Sequence, residues 1–202
     1  MDLISYLLDN SERGLDENTL KTNAWDHFGV EVAALVIDSV GFTRTTQAKG
    51  IVYFLTQLAK SRKITNQVMD KYKPISYTFH ADNCYAFFRD VNLAFNAAIE
   101  LQKMTQKASI PLIGDEYFGL SIGIGFGRLL KAGSHEQYFG DEMNIASKLG
   151  EDTGSRDDIL LSDNAYNSLS KKKNFLFKMH TSSISGVEFK YHQLGWWVIL
   201  NH

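Results

Sequence analysis

Cysteine and proline are scarce: Cys84 stands alone, and Pro74 and Pro111 are the only prolines among 202 residues. A single thiol forms no intramolecular disulfide and builds no cysteine cage around zinc, so the fold must rest on its apolar core. A hydrophobic content of 44% over 202 residues is enough for one domain. Positive charge is not in excess either. Lys and Arg number 21 against 23 Asp and Glu, a formal net charge of -2, which argues against a basic nucleic-acid-binding domain. Long apolar runs are missing, none approaching the roughly 20 residues that a bilayer-spanning helix needs. The opening MDLISYLLDN carries Asp2 and Asp9 where a secretory signal would carry basic residues. These absences lead to the expectation of a soluble protein without membrane association, in a reducing cytoplasm. No low-complexity tract and no internal period interrupts the chain. We therefore expect a helical extension over residues 1–28 and one catalytic-sized domain over 29–202.

What is present alternates between strand and helix patterns. Leu3, Leu7 and Leu8 predict a short amphipathic helix, which Gly14 ends before a polar stretch reaching Trp25. The run VEVAALVI, Val30–Ile37, is short and Val-rich, as in a strand covered on both faces, and it stops at Asp38. Beyond the turn SVGFT, Ile51, Leu55 and Leu58 mark a helix towards Lys71, closed by Pro74. Ile75–Phe88 reads as a β-hairpin with Asp82 at its tip, and Val91, Ala94, Ala98 and Leu101 as a second helix. Tyr117–Phe126 and Gly127–Lys131 read as two strands, and Asn144–Leu149 as part of a third helix. The tail predicts strands near Ile159–Leu161, Phe175, Phe189 and Trp197–Leu200, with a helix near Asn164–Leu169. The order strand, helix, hairpin, helix, strand is that of a ferredoxin-like α/β (α+β) sandwich, a mostly antiparallel sheet with flanking helices.

The chemistry gathers at the end of the first strand. An apolar strand that stops in Asp38, followed by a glycine turn and a helix start, sets a carboxylate beside free backbone N–H groups. Alone, Asp38 would more often be a turn residue. Asp82 alters that weighting, because a hairpin tip in such a sheet lies beside the end of the first strand, and paired carboxylates are what divalent cations need to clamp a triphosphate. Other signals carry less. GIGFG, Gly123–Gly127, continues a strand and does not open a helix, unlike a dinucleotide loop. His27, His80, His135, His180, His192 and His202 contain no i, i+4 pair. Lys171–Lys173 reads as a solvated loop, and Trp196 and Trp197 as core and rim residues.

Four segments, ALVIDSVGFTR (Ala34–Arg44), FHADNCYAFF (Phe79–Phe88), LSIGIGFGRLLKAG (Leu120–Gly133) and YFGDEMNIASKL (Tyr138–Leu149), resemble in order and spacing the motifs of the class III nucleotidyl cyclase catalytic domain. The resemblance runs from about Val32 to Leu161. It implies that Asp38 and Asp82 hold two divalent cations, Mn2+ or Mg2+, with the Ser39 carbonyl as a third ligand. The backbone N–H groups of Val40, Gly41, Phe42 and Thr43 would hold the β- and γ-phosphates. Asn144 would orient the ribose, and Lys148 stands where the family usually has an arginine for the transition state. Their i, i+4 spacing also puts Asn144 and Lys148 on one helix face, which taken alone reads more readily as a solvated polar face. The resemblance further implies a homodimer with shared active sites.

Two departures bear on the base. Where purine-using members carry a lysine and an aspartate for base recognition, this chain has uncharged Thr78 and Gln137. In that respect, and in the expected absence of fused sensor or membrane domains, the chain is similar to the pyrimidine cyclases of bacterial Pycsar antiphage defence, which make cyclic UMP or cyclic CMP for a separate effector. UTP, then CTP, is the expected substrate. An adenylate or guanylate cyclase, and a catalytically inactive cyclase-like binding domain, are the alternatives. No counterpart of the family's tail lysine for the triphosphate is evident in ISGVEFK, with Lys178 and Lys190 as the nearest substitutes.

Overall fold

The computed structural model describes residues 2–133 and 137–195, so His135, His202, Trp196, Trp197 and the strand expected at Trp197–Leu200 lie outside the described residues. Two helices open the chain, α1 (Leu3–Glu12) and α2 (Glu17–Phe28). Each begins at an aspartate that accepts the N–H three residues on: Asp2 from Ser5 and Asp16 from Thr19, both at 3.0 Å. Such a bond satisfies one of the donors a helix start leaves free. The stretch after Gly14 is thus helical, although so few apolar residues do not announce it.

There follow β1 (Gly29–Val40), α3 (Phe42–Lys49), α4 (Ile51–Tyr72), β2 (Ser76–His80), β3 (Asn83–Phe88), α5 (Val91–Ala108), β4 (Gly119–Ala132) and β5 (Gln137–Phe139). Next come α6 (Asp141–Ser147), a π-helical turn over Lys148–Thr153, β6 (Ile159–Ser162), α7 (Asp163–Ser168), β7 (Phe177–Ile184) and β8 (Val187–Leu194). The strands form one eight-stranded sheet in the order β2-β3-β1-β4-β6-β8-β7, with β5 paired to β4. The β4–β6 pairing is parallel and the others are antiparallel. The sandwich expected from element order is therefore present.

Alternation along β1 divides the core. Ala33, Leu35 and Ile37 join the large cluster with Phe54, Phe95 and Leu101 of α4 and α5, whereas Val32, Ala34 and Val36 join Phe87, Leu129, Tyr138 and Ala146 on the opposite face. Both faces of this central strand are buried, which is why it reads as a continuous apolar run.

Three sequence expectations need correction. Ile51 and Leu55, which mark α4, are 44% and 49% exposed; its buried face runs through Phe54, Leu58, Ser61, Thr65, Val68 and Met69. Inward-facing Ser61 and Thr65 hide that stripe from a hydrophobic count. The strands expected at Tyr117–Phe126 and Gly127–Lys131 are one unbroken strand, β4. Finally, Lys148 and Leu149 do not continue the α-helix of Asn144 but begin the π turn.

The glycines of GIGFG explain how that turn fits. A Cβ on Gly123 would strike the Ala146 carbonyl and the Gly150 amide, and one on Gly125 the Glu142 carbonyl. Their bare backbone lets α6 and the π turn lie directly on β4. Buried Glu142 fastens this contact, accepting from the Phe126 N–H at 3.0 Å, the Ser162 hydroxyl at 2.5 Å and the Asn164 amide at 2.6 Å.

Candidate active site

Asp38 lies opposite Ser121 in the β1–β4 register, on the face shared with Val36 and Ala34. β3 pairs with β1 on its other side as far as Ile37 opposite Cys84. The β2–β3 turn, Ala81–Asp82, therefore comes level with the end of β1. Arg62 of α4 fixes the turn by donating to the Ala81 carbonyl while lying 4.6 Å over the Phe79 ring. Ala81 itself sits at φ 52°.

The two carboxylates converge as their places in the topology require. Buried Ser39 donates its hydroxyl to Asp82 Oδ2 at 2.9 Å, a contact that the sequence reading, concerned with the Ser39 carbonyl, did not contain. The Asp38 carboxyl is pushed up to about 6, first by burial and then by the negative charge of Asp82, with smaller contributions from Glu151 and Asp152. Burial beside a second carboxylate thus disfavours the charged form of Asp38.

Val40 and Gly41 turn the chain into α3. Gly41 has φ 108°, a conformation that L side chains rarely adopt, and a Cβ there would stand 2.9 Å from Leu112 Cδ1. The first helical bond of α3 runs from the Thr45 N–H to the Gly41 carbonyl at 3.0 Å, so the amides of Phe42, Thr43 and Arg44 precede the hydrogen-bonded ladder. A cavity of about 490 Å³ is lined by Asp38 to Arg44, Asp82 and Gly154. Metal and phosphate candidates thus share one concave site.

The remaining candidates stand elsewhere. Thr78, opposite Tyr85 on β2, and Gln137, opposite Ala132 on β5, are exposed. Asn144 is exposed on α6, and Lys148 is ion-paired with Asp152 at 3.0 Å. None of these four lines the Asp38 cavity. Lys178 and Lys190 lie on β7 and β8, beyond β4 and β6 from β1. Two arginines passed over in the sequence lie closer. Arg44 lines the cavity, and Arg156 Nη2 is 3.8 Å from the place a Cβ would take on Gly41. Both ion-pair with Glu116. The available signal was Arg44's position directly after the glycine turn; nothing local marks Arg156.

No protein-family model and no curated protein sequence matches the chain. Solved structures do. The adenylyl cyclase CyaB from P. aeruginosa superposes with a TM-score of 0.68 at 18% identity, covering 83% of this chain and 94% of that one. The guanylate cyclase domain of RhGC from Catenaria anguillulae, solved with GTP, gives 0.66 at 16% identity, covering 82% and 96%. The catalytic core of a rhodopsin-guanylyl cyclase with converted specificity, solved with ATPαS, gives 0.69 at 16% identity, covering 83% and 98%. With its sheet order, helices on both faces and carboxylates at the end of the central strand, this chain has the fold of the class III adenylate and guanylate cyclase catalytic domains.

Proposed function

We propose that the protein is a nucleotidyl cyclase that converts a nucleoside triphosphate to a 3′,5′-cyclic nucleotide and pyrophosphate. The observation that carries this reading is the convergence of Asp38 and Asp82 beside the left-handed Gly41 turn and the start of α3, in a cyclase fold. The donor set suits Mg2+ or Mn2+: two carboxylates and the Ser39 carbonyl are hard oxygen ligands. The raised affinity of Asp38 for a proton is relieved when positive charge takes the proton's place. Bound there, divalent ions would supply Lewis-acid stabilisation of the charge developing on phosphorus and the leaving group.

The chain's own contribution is positioning. Backbone amides from Val40 to Thr43 face the β- and γ-phosphates and aim the α-phosphorus at the ribose. The 3′-hydroxyl gives up its proton to solvent and its oxygen attacks in line; its bond to the α-phosphorus forms as the bond to the bridging oxygen of pyrophosphate breaks. Asn144 orients the ribose and Lys148 offsets charge on the transferring phosphate. Since neither lines the cavity of its own chain, a second copy delivers them, giving a homodimer with two shared sites.

For the base, Thr78 and Gln137 favour a pyrimidine. Each side chain can donate and accept a hydrogen bond, matching the edge of uracil or cytosine, and neither supplies a charge. On this reading UTP is preferred, then CTP, and the cyclic pyrimidine nucleotide serves as a cytoplasmic messenger to a separate effector in antiphage defence. Incubation with each of the four triphosphates and Mn2+, with products separated chromatographically, tests the proposal. Cyclic UMP or CMP as main product supports it in full. Cyclic AMP or GMP would remove the pyrimidine assignment and leave a purine cyclase. Lys148 in place of the family's usual arginine favours the reading of an inactive nucleotide-binding domain, and absence of any cyclic product would select it.

A further inference from the structure

Arg44 occupies an awkward position. It stands in the first turn of α3, where the helix end already carries positive partial charge and a cation is disfavoured. The structure supplies a distant anion: Glu116 Oε2 accepts from Arg44 Nη2 at 2.5 Å, and the same oxygen lies 3.8 Å from Arg156 Nη2. Gly119 makes room for Arg156, whose Cγ lies 2.6 Å from the place a Cβ would take there.

Glu116 is held from behind. Its N–H donates to the Ile113 carbonyl at 2.9 Å and its carbonyl accepts from the Leu112 N–H at 2.8 Å. Tyr53 donates its hydroxyl to the Leu112 carbonyl at 3.1 Å, which ties the loop to α4. Leu112 in turn packs beneath Gly41. One loop therefore both supports the Gly41 turn and presents a carboxylate to two guanidinium groups beside that turn.

Resting on the cyclase reading of this site, we propose that Glu116 is a resident counter-anion which competes with pyrophosphate for Arg44 and Arg156, weakening product binding and hastening release. The side chains of Arg44, Arg156 and Glu116 are 63%, 30% and 37% exposed. An ion pair so solvated shifts an equilibrium by about fivefold at most. A phosphate group, which carries more charge and takes a guanidinium in bidentate fashion, displaces it. The device is thus strong enough to tune affinity and too weak to block the site.

The test is calorimetric titration of the full-length protein with pyrophosphate and Mg2+, which needs no turnover. Glu116→Gln should bind pyrophosphate about three- to fivefold more tightly than wild type, whereas Arg44→Gln should bind it more weakly. The decisive measurement is coupling. With Arg44 and Arg156 both replaced by Gln, the further change Glu116→Gln should no longer tighten binding, whereas mere removal of a negative charge would tighten it in every background. Glu116→Ala repeats the comparison with a different side chain. The proposal is overturned if neither Glu116 variant tightens binding, if the gain persists without the arginines, or if none of these proteins binds pyrophosphate. Coupling without any cyclic product would refute the cyclase reading alone; cyclic product without coupling would refute this inference alone.

Discussion

The two halves of the candidate site are built differently. The acidic half, at the ends of β1 and of the β2–β3 turn, is held by neighbouring strands, a serine bond to Asp82 and a glycine turn packed on Leu112. The half expected to meet ribose and base consists of exposed side chains on β2, β5 and α6, none of which lines the Asp38 cavity. Backbone topology, with a few local side-chain contacts, places the first half. On the proposed reading, a second copy brings the second half to the first.

The largest expected effect removes the acidic half. On the proposed reading, Asp38→Ala or Asp82→Ala should lower kcat by at least about a thousandfold, since each would delete a ligand for the ions that stabilise the reacting phosphate. Circular dichroism should show the fold intact. Wild-type-like turnover by either variant would end the metal assignment. Nearly as large is the effect of recombining the halves. Asp38→Ala and Asn144→Ala should each be inactive, while subunit exchange in an equal mixture should restore about a quarter of wild-type activity, because half the dimers then carry one intact site of two. Exchange shown by mass spectrometry without recovered activity would place Asn144 and Asp38 in the same chain's site.

The contrast also explains what could be read from sequence. The acidic half is legible because its residues are contiguous: an apolar strand, an aspartate, a glycine turn and a helix start imply their own geometry, and Asp82 is placed by a hairpin whose register the alternation specifies. The fold is legible for the same reason, through Val32–Ile37 and the strand–helix order. Arg156 and Glu116 could not be found this way. Their relation to Gly41 depends on how the Leu112 loop and the segment before β6 return to the sheet, and no local pattern encodes it. The buried face of α4 was hidden by Ser61 and Thr65, and the π turn by a sequence that continues α6 without a break.

A smaller effect concerns selectivity in the exposed half. If Thr78 and Gln137 meet the base, UTP or CTP should exceed ATP in kcat/KM by at least about tenfold, since bonds made to a pyrimidine edge are left unpaired by the wrong base. Thr78→Lys combined with Gln137→Asp should erode that ratio, even if the pocket remains too small for adenine to react well. A higher kcat/KM for ATP or GTP in the unaltered protein would refute the base assignment and leave the acidic half untouched.

The smallest effect is on stability, and it belongs to the acidic half alone. Burial, assisted by Asp82, Glu151 and Asp152, moves the Asp38 carboxyl from its ordinary 3.8 to about 6. The folded chain therefore holds this proton more tightly than the unfolded chain does. The resulting stabilisation is complete below the ordinary value, declines as pH rises through about 6, and is absent above it. Because the carboxylate is partly solvated, the loss between about pH 4 and pH 7 should be about 1–2 kcal/mol. Asp2 and Asp16, lowered by their N-cap bonds, act in the opposite sense as pH falls, so the measurement must be differential. Denaturant unfolding of wild type and Asp38→Asn, in chelator, should give curves that separate with pH: the variant, which has no charge to form, gains relative to wild type as pH rises. Adding Mg2+ or Mn2+ near pH 7 should then stabilise wild type and not the variant, as the cation takes over the role of the proton. Parallel curves would mean that Asp38 is solvated like any surface acid, and the electrostatic distinction between the two halves would fall with it.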